Sequence, residues 1–179
     1  MKKILLILMS LMLTIYGYSQ TETKKDDNRG YIVNVGDKAP DFSIKYLDGK
    51  TKKLSELKGK VVMLQFTASW CGVCRKEMPH IESDIWQKNK ANPDFVLLGI
   101  DYKESADKIK DFAQKTNITY PLILDESGDI FHKYAAKNAG VTRNIIIDRD
   151  GKIIFLTRLF DEKEFKQMVQ VISNELKNK

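Results

Sequence analysis

The chain has 179 residues, enough for one domain with a real core plus a leader. Its 42% hydrophobic and 30% charged content excludes a disordered tail and a membrane-embedded bundle. The net charge of +6 is spread, with Lys52 and Lys53 near Glu56 and Lys108 and Lys110 near Asp107 and Asp111, so no basic stripe for nucleic acid is expected.

In chain order, residues 1–19 read as a signal peptide. Lys2 and Lys3 form the basic start, residues 4–15 are the apolar run, and Gly17 and Ser19 suit cleavage before Gln20. The run is short for a membrane span, and a retained anchor is the alternative. Residues 20–32 are read as a flexible linker, polar and without apolar periodicity, and 33–179 as the folded domain. Asp48-Gly49 marks a hairpin whose return strand runs from Thr51 to Leu54, and residues 55–59 form one helical turn ended by glycine.

Residues 61–66 (VVMLQF) predict a buried strand, and 72–89 a helix that Pro79 should kink after two turns. Residues 95–100 predict a second buried strand. An amphipathic helix over 105–115 follows, capped by Ser105, with Ile109, Phe112 and Ala113 on one face. Beyond a short apolar run at 122–124, residues 129–137 are expected to be helical, with Ile130, Phe131 and Tyr134 inward. Residues 144–147 and 153–156 read as strands joined at Asp150-Gly151. Residues 161–174 close the chain as a helix with Phe165, Met168, Val169 and Ile172 at helical spacing. This order predicts an α/β domain: a mixed central sheet flanked by helices on both faces, with an N-terminal β-hairpin extension.

Cys71 and Cys74, the only cysteines, stand between the first core strand and its helix. A helix N-terminus offers unpaired N–H groups and a favourable dipole to a thiolate. A bridge across so short a loop stabilises little by chain entropy, so the spacing points to a redox-active disulfide. A structural disulfide and half of a zinc site are the alternatives. Zinc would need two more ligands, and His80 and His132 lack ligand spacing, so no metal or cofactor is expected. His80, His132 and Asp101 are read as structural.

Three stretches in order, VGDKAPDF (35–42), LSELKGKVV (54–62) and CGVCRKEMP (71–79), resemble the TlpA/ResA-like exported thiol:disulfide oxidoreductases of the thioredoxin-fold superfamily. The resemblance implies a thioredoxin-like fold in which Cys71 attacks and Cys74 resolves a mixed disulfide. It also implies that Glu77 tunes or relays protons; the alternative is a solvated helix glutamate paired with Lys76. In thioredoxins a strand aspartate serves that purpose, and Gln65 stands in its place here.

Three departures stand out. Thr67 replaces a frequent Trp, Gly72-Val73 lacks the proline many relatives have before the second cysteine, and Thr142 occupies the position of a cis-proline. A cis bond outside proline costs roughly 2.5–4 kcal/mol, so Thr142 is expected to be trans. Trp70, Thr142 and Arg143 are the candidate substrate-binding residues. For Trp70 the alternative is a core aromatic, and for Arg143 a surface arginine.

The function expected is a cell-envelope or periplasmic thiol:disulfide oxidoreductase acting as a reductase. Its implied partners are disulfide-containing exported proteins such as apocytochromes, and a membrane-bound thiol electron donor. A peroxiredoxin-like peroxidase is the first alternative, weakened because Ala68 stands three residues before Cys71, and Cys71 three before Cys74, where those enzymes have Thr. A redox-inert docking domain of an envelope complex is the second.

Overall fold

The computed structural model describes residues 29–178. The predicted signal peptide and linker residues 20–28 lie outside them. Strands β1 (Ser43–Lys45) and β2 (Thr51–Lys53) form the expected hairpin. Five strands make the main sheet: β3 (Val61–Thr67), β4 (Phe95–Tyr102), β5 (Leu122–Asp125), β6 (Arg143–Ile147) and β7 (Ile153–Arg158). Their spatial order is β5-β4-β3-β6-β7. β3, β4 and β5 run parallel, and β6 and β7 are antiparallel to their neighbours.

Helix α1 (Gly72–His80) links β3 to β4 and α2 (Ala106–Thr116) links β4 to β5, the crossovers that parallel pairs require. β6 and β7 share a tight turn in which Gly151 takes φ +83°, a left-handed conformation that glycine adopts without steric cost. Helix α3 (Glu162–Lys177) starts at Asp161, whose carboxylate accepts the Glu164 N–H. Phe165, Met168 and Ile172 are buried along it, and Val169 is half-buried.

Every residue of β3 is buried, as a central strand covered on both faces must be. Alternation sends Phe66 one way, onto the rings of Phe131 and Tyr134. It sends Thr67 the other way, where its hydroxyl lies 3.5 Å from Met78 Sδ of α1.

Four expectations need correction. Residues 29–32, read as linker, belong to the fold: Tyr31 bridges Ala135 and its hydroxyl donates to the carbonyls of Thr157 and Asn144. Only Phe131–Lys133 of the predicted 129–137 helix forms, as one 3₁₀ turn. The Ile130 and Phe131 N–H groups go to Asp125, and those of Ile32 and Ala136 pair across to Tyr134 and Gly30. That tertiary pairing uses the backbone groups a longer helix would need. Pro79 brings a change of register, with a π-helical turn at Ile81–Trp86 continuing α1. Ser105 occupies the cap position of α2, but its hydroxyl makes no capping bond.

Candidate active site

The buried strand β3 ends at Thr67, and the chain turns through Ala68, Ser69 and Trp70 to deliver Cys71 as the N-cap of α1. Cys71 and Cys74 are joined by a disulfide, with their Cα atoms 5.3 Å apart. Cys71 Sγ accepts the Cys74 N–H at 3.2 Å, so a backbone donor is already aimed at the first sulfur. Cys71 is 8% exposed and Cys74 0%. Beside them Trp70 stands 60% exposed, which removes the alternative of a core aromatic.

Thr142 faces both sulfurs. Its Oγ1 lies 3.2 Å from Cys71 Sγ and 3.3 Å from Cys74 Sγ. All described peptide bonds are trans, that of Thr142 among them. A hydroxyl therefore sits against the dithiol, able to donate to either sulfur but only one at a time. The Thr142 carbonyl is tied back by the Leu159 N–H at 3.2 Å and by Arg158 Nη1 at 3.4 Å.

Arg143 is no surface arginine. It is fully buried, its guanidinium lying 4.5 Å from the Tyr31 ring centre and donating to the carbonyls of Gly140 and Arg29. Its charge ties the entry segment to the loop facing the dithiol and is sealed from the surface.

Glu77, one turn beyond Cys74, is buried in α1. Its Oε1 accepts from Asn144 Nδ2 at 2.7 Å, and Asn144 also donates to Thr157 Oγ1 at 2.9 Å. Burial pushes the Glu77 carboxyl up to about 7, against the amides of Asn144 and Gln65, which favour the anion, while Glu164 adds a smaller push upward. Gln65 takes the Tyr120 hydroxyl on its Oε1 at 2.7 Å. Gly99 makes that reach possible: a Cβ there would lie 2.3 Å from a methyl of Leu122 and 3.2 Å from the Tyr120 ring. Burial of Glu77 removes the alternative of a solvated glutamate paired with Lys76.

A second buried acid is Asp101, read as structural from the sequence. Asp101, at the end of β4 and opposite Thr67 in register, is fully buried, and its carboxyl pairs with that of Glu104. Burial and neighbouring Glu104 push it up to about 8. Glu104 accepts the N–H and hydroxyl of Ser69, each at 2.6 Å. These bonds hold it below the usual carboxylate range despite burial. A carboxylate thus grips the loop that carries Trp70 and Cys71. The available signal was an acid closing the apolar run Phe95–Ile100. His80 stacks on Phe160, and His132 meets the Tyr102 hydroxyl, each as a structural group. Among the described residues no cluster of three His, Cys, Asp or Glu side chains could hold a metal.

Comparison with known proteins agrees with this geometry. The Redoxin family model matches residues 34–172. Thiol-disulfide oxidoreductase ResA of Bacillus cereus is 32% identical over 153 residues, covering 84% of this chain and 82% of the relative. A solution structure from Bacteroides thetaiotaomicron, described as a candidate protein disulfide isomerase, is 61% identical. It covers 83% of this chain and 94% of that one, with TM-score 0.81. A crystal structure described as a candidate thiol:disulfide interchange protein DsbE, from Chlorobium tepidum, is 27% identical, covering 80% and 99%, with TM-score 0.68. A vicinal cysteine pair capping a helix of a thioredoxin-like sheet and these matches lead to one assignment: the chain belongs to the Redoxin family, among its ResA-like thiol-disulfide oxidoreductases.

Proposed function

We propose that the chain is an exported reductase of the cell envelope, with Cys71 attacking, Cys74 resolving and Glu77 moving the proton of Cys74. The reduced Cys71 thiolate attacks one sulfur of a substrate disulfide, and the first substrate sulfur leaves as a thiolate that takes up a proton. Cys74, losing its proton to Glu77, then attacks Cys71 Sγ and expels the second substrate sulfur. The products are a reduced substrate and the Cys71–Cys74 disulfide, two electrons having passed to the substrate. A membrane-bound thiol donor would return them. Export rests on the leader pattern of residues 1–19.

The asymmetry between the sulfurs supports these roles. Cys71 is the more exposed and holds the Cys74 N–H, whereas Cys74 is fully buried one turn from Glu77. The test is reduction of a protein disulfide with a dithiol donor, run beside hydrogen peroxide turnover and with cell fractionation of the full chain. Disulfide turnover without peroxide turnover is expected, with the protein outside the cytoplasm. Cys71→Ser should lower exchange by roughly 10³-fold or more, the scale of losing a covalent nucleophile, while Cys74→Ser should accumulate a mixed disulfide on Cys71. Peroxide turnover that survives Cys71→Ser but not Cys74→Ser would reverse the two roles.

A further inference from the structure

Thr142 stands where the related oxidoreductases carry a proline, and it brings a hydroxyl to a place where proline has none. It is 2% exposed, and its Oγ1 is within reach of both sulfurs, 3.2 Å from Cys71 Sγ and 3.3 Å from Cys74 Sγ. Its main chain is fixed from behind, since the Leu159 N–H and Arg158 Nη1 both reach its carbonyl. The hydroxyl hydrogen can turn about the Cβ–Oγ1 bond from one sulfur to the other without any heavy atom moving.

The two sulfurs differ in what else they have. Cys71 Sγ accepts the Cys74 N–H at the start of α1, where the helix dipole also favours negative charge. Cys74 Sγ is fully buried in the apolar core, and among the described residues the Thr142 hydroxyl is its one hydrogen-bonding partner. A thiolate in such surroundings is costly unless a donor faces it. The charged and titratable groups around the pair are engaged elsewhere. On α1, Glu77 pairs with Asn144 and Arg75 with the Ser69 carbonyl. Arg143 of β6 donates to the carbonyls of Gly140 and Arg29, and Arg158 of β7 to that of Thr142. Glu104 holds Ser69, with Asp101 behind it.

We propose that Thr142 is a catalytic residue of the exchange reaction, its hydroxyl donating first to the Cys71 thiolate and then to the Cys74 thiolate as the negative charge moves between them. The role rests on the disulfide exchange proposed above and deepens it. In the reduced pair the O–H donates to the Cys71 thiolate. Attack joins Cys71 Sγ to one substrate sulfur and releases the other as a thiolate, which takes up a proton. Cys71 Sγ is then neutral, and the O–H is free to turn. As Glu77 accepts the Cys74 proton, the charge left on Cys74 Sγ meets that donor. Cys74 Sγ then bonds Cys71 Sγ, and the second substrate sulfur leaves with the electron pair of the broken bond. Thr142 transfers no proton at any point. Glu77 receives the proton of Cys74, and Thr142 steadies the anion that remains.

The test compares Thr142→Val, which keeps the shape of threonine without its hydroxyl, with Thr142→Ser, which keeps the hydroxyl. In a Cys71→Ala background, ionisation of Cys74 is followed against pH by the ultraviolet absorbance of the thiolate. Thr142→Val should move the midpoint up by about one to two pH units, the scale of one hydrogen bond to a charged group, and Thr142→Ser should hold it within about half a unit. With both cysteines present, release of the second substrate sulfur from the mixed disulfide should slow roughly 10- to 100-fold in Thr142→Val and less than about threefold in Thr142→Ser. Thr142→Ala, set against Thr142→Ser, repeats the comparison with smaller side chains should valine prevent folding. A midpoint that does not follow the hydroxyl overturns the proposal. The titration needs no substrate, so the two readings fail separately. Exchange by the parent with an unmoved midpoint overturns the role of Thr142 alone, whereas a parent that exchanges no protein disulfide overturns the reductase reading and that role with it.

Discussion

Glu77 and Asp101 are both buried carboxyls near the C-terminal ends of β3 and β4, yet their surroundings differ. Glu77 has an amide partner: Asn144 donates to one oxygen and is itself held at Thr157. Among the described residues no amide faces Asp101; its protonated carboxyl donates to Glu104, which Ser69 and that bond keep ionised. Burial raises both, to about 7 for Glu77 and about 8 for Asp101. With an amide to steady its anion, a buried carboxyl can give and take a proton near neutral pH. Without one, beside a fixed negative charge, it holds its proton as a neutral filler. The difference separates an acid suited to proton transfer behind Cys74 from one that lets Glu104 stay charged and grip the loop before Cys71.

The largest effect that would sharpen this contrast is Glu77→Gln. Disulfide exchange at pH 7 should fall roughly 10²-fold, the usual size of a lost general acid or base. The pH profile of Cys74 alkylation in the reduced protein should move as well. In a Cys74→Ser background the same change should leave the rate of Cys71 attack nearly untouched, since no proton of Cys74 remains to be handled. An alkylation profile identical in Glu77→Gln and the parent would sink the proton-handling role and erase the distinction from Asp101.

Asp101→Asn comes next and acts on stability. A carboxyl whose folded-state value is raised keeps a proton that the unfolded chain has lost, so its contribution is fully present at low pH. It declines as pH rises from its ordinary value, 3.8, through about 8. Between pH 6 and pH 8 the parent should therefore lose stability relative to Asp101→Asn by on the order of 1–2 kcal/mol. Glu104, held low, is ionised in both states over that window and adds nothing to the slope. Denaturant unfolding of the oxidised forms at the two pH values measures it; parallel pH dependence in parent and variant would show that Asp101 is ionised at pH 6. Glu77, raised from 4.5 to about 7, should give a slope of the same sign that ends one unit earlier and vanishes in Glu77→Gln.

The smallest effect expected is Ser69→Ala. Loss of the hydroxyl bond to Glu104 should cost about 1 kcal/mol. It should also move the Glu104 carboxyl back toward its ordinary value, 4.5, leaving it ionised and the slope between pH 6 and pH 8 unchanged. A variant with the parent's stability would mean that the Ser69 N–H alone holds Glu104 to the loop.

Much of this was legible before any coordinates. β3, the cysteine pair and α1 follow from a buried apolar run meeting a helix pattern, and both Asp-Gly turns are where the local signal put them. Glu77 could be singled out, but only the motif resemblance gave it weight. Its partner Asn144 is 67 positions away, and no period in the sequence joins them. Arg143 read as a surface residue because arginine is rarely buried without partners; its partners, Tyr31 and the carbonyls of Arg29 and Gly140, come from two separate segments.

The sequence by itself determined the strand-to-helix junction that makes Cys71 an N-cap, because capping and periodicity act over a few neighbouring residues. It determined too that Thr142 would be trans, because the peptide bond alone sets that preference. Only the tertiary structure decided that the Thr142 hydroxyl lies against both sulfurs, that residues 129–137 give up helix for pairing with Tyr31 and its neighbours, and that Asp101 is sealed beside Glu104. Those outcomes depend on which distant segments share the same low-dielectric interior, and burial there sets both hydrogen-bond partners and protonation.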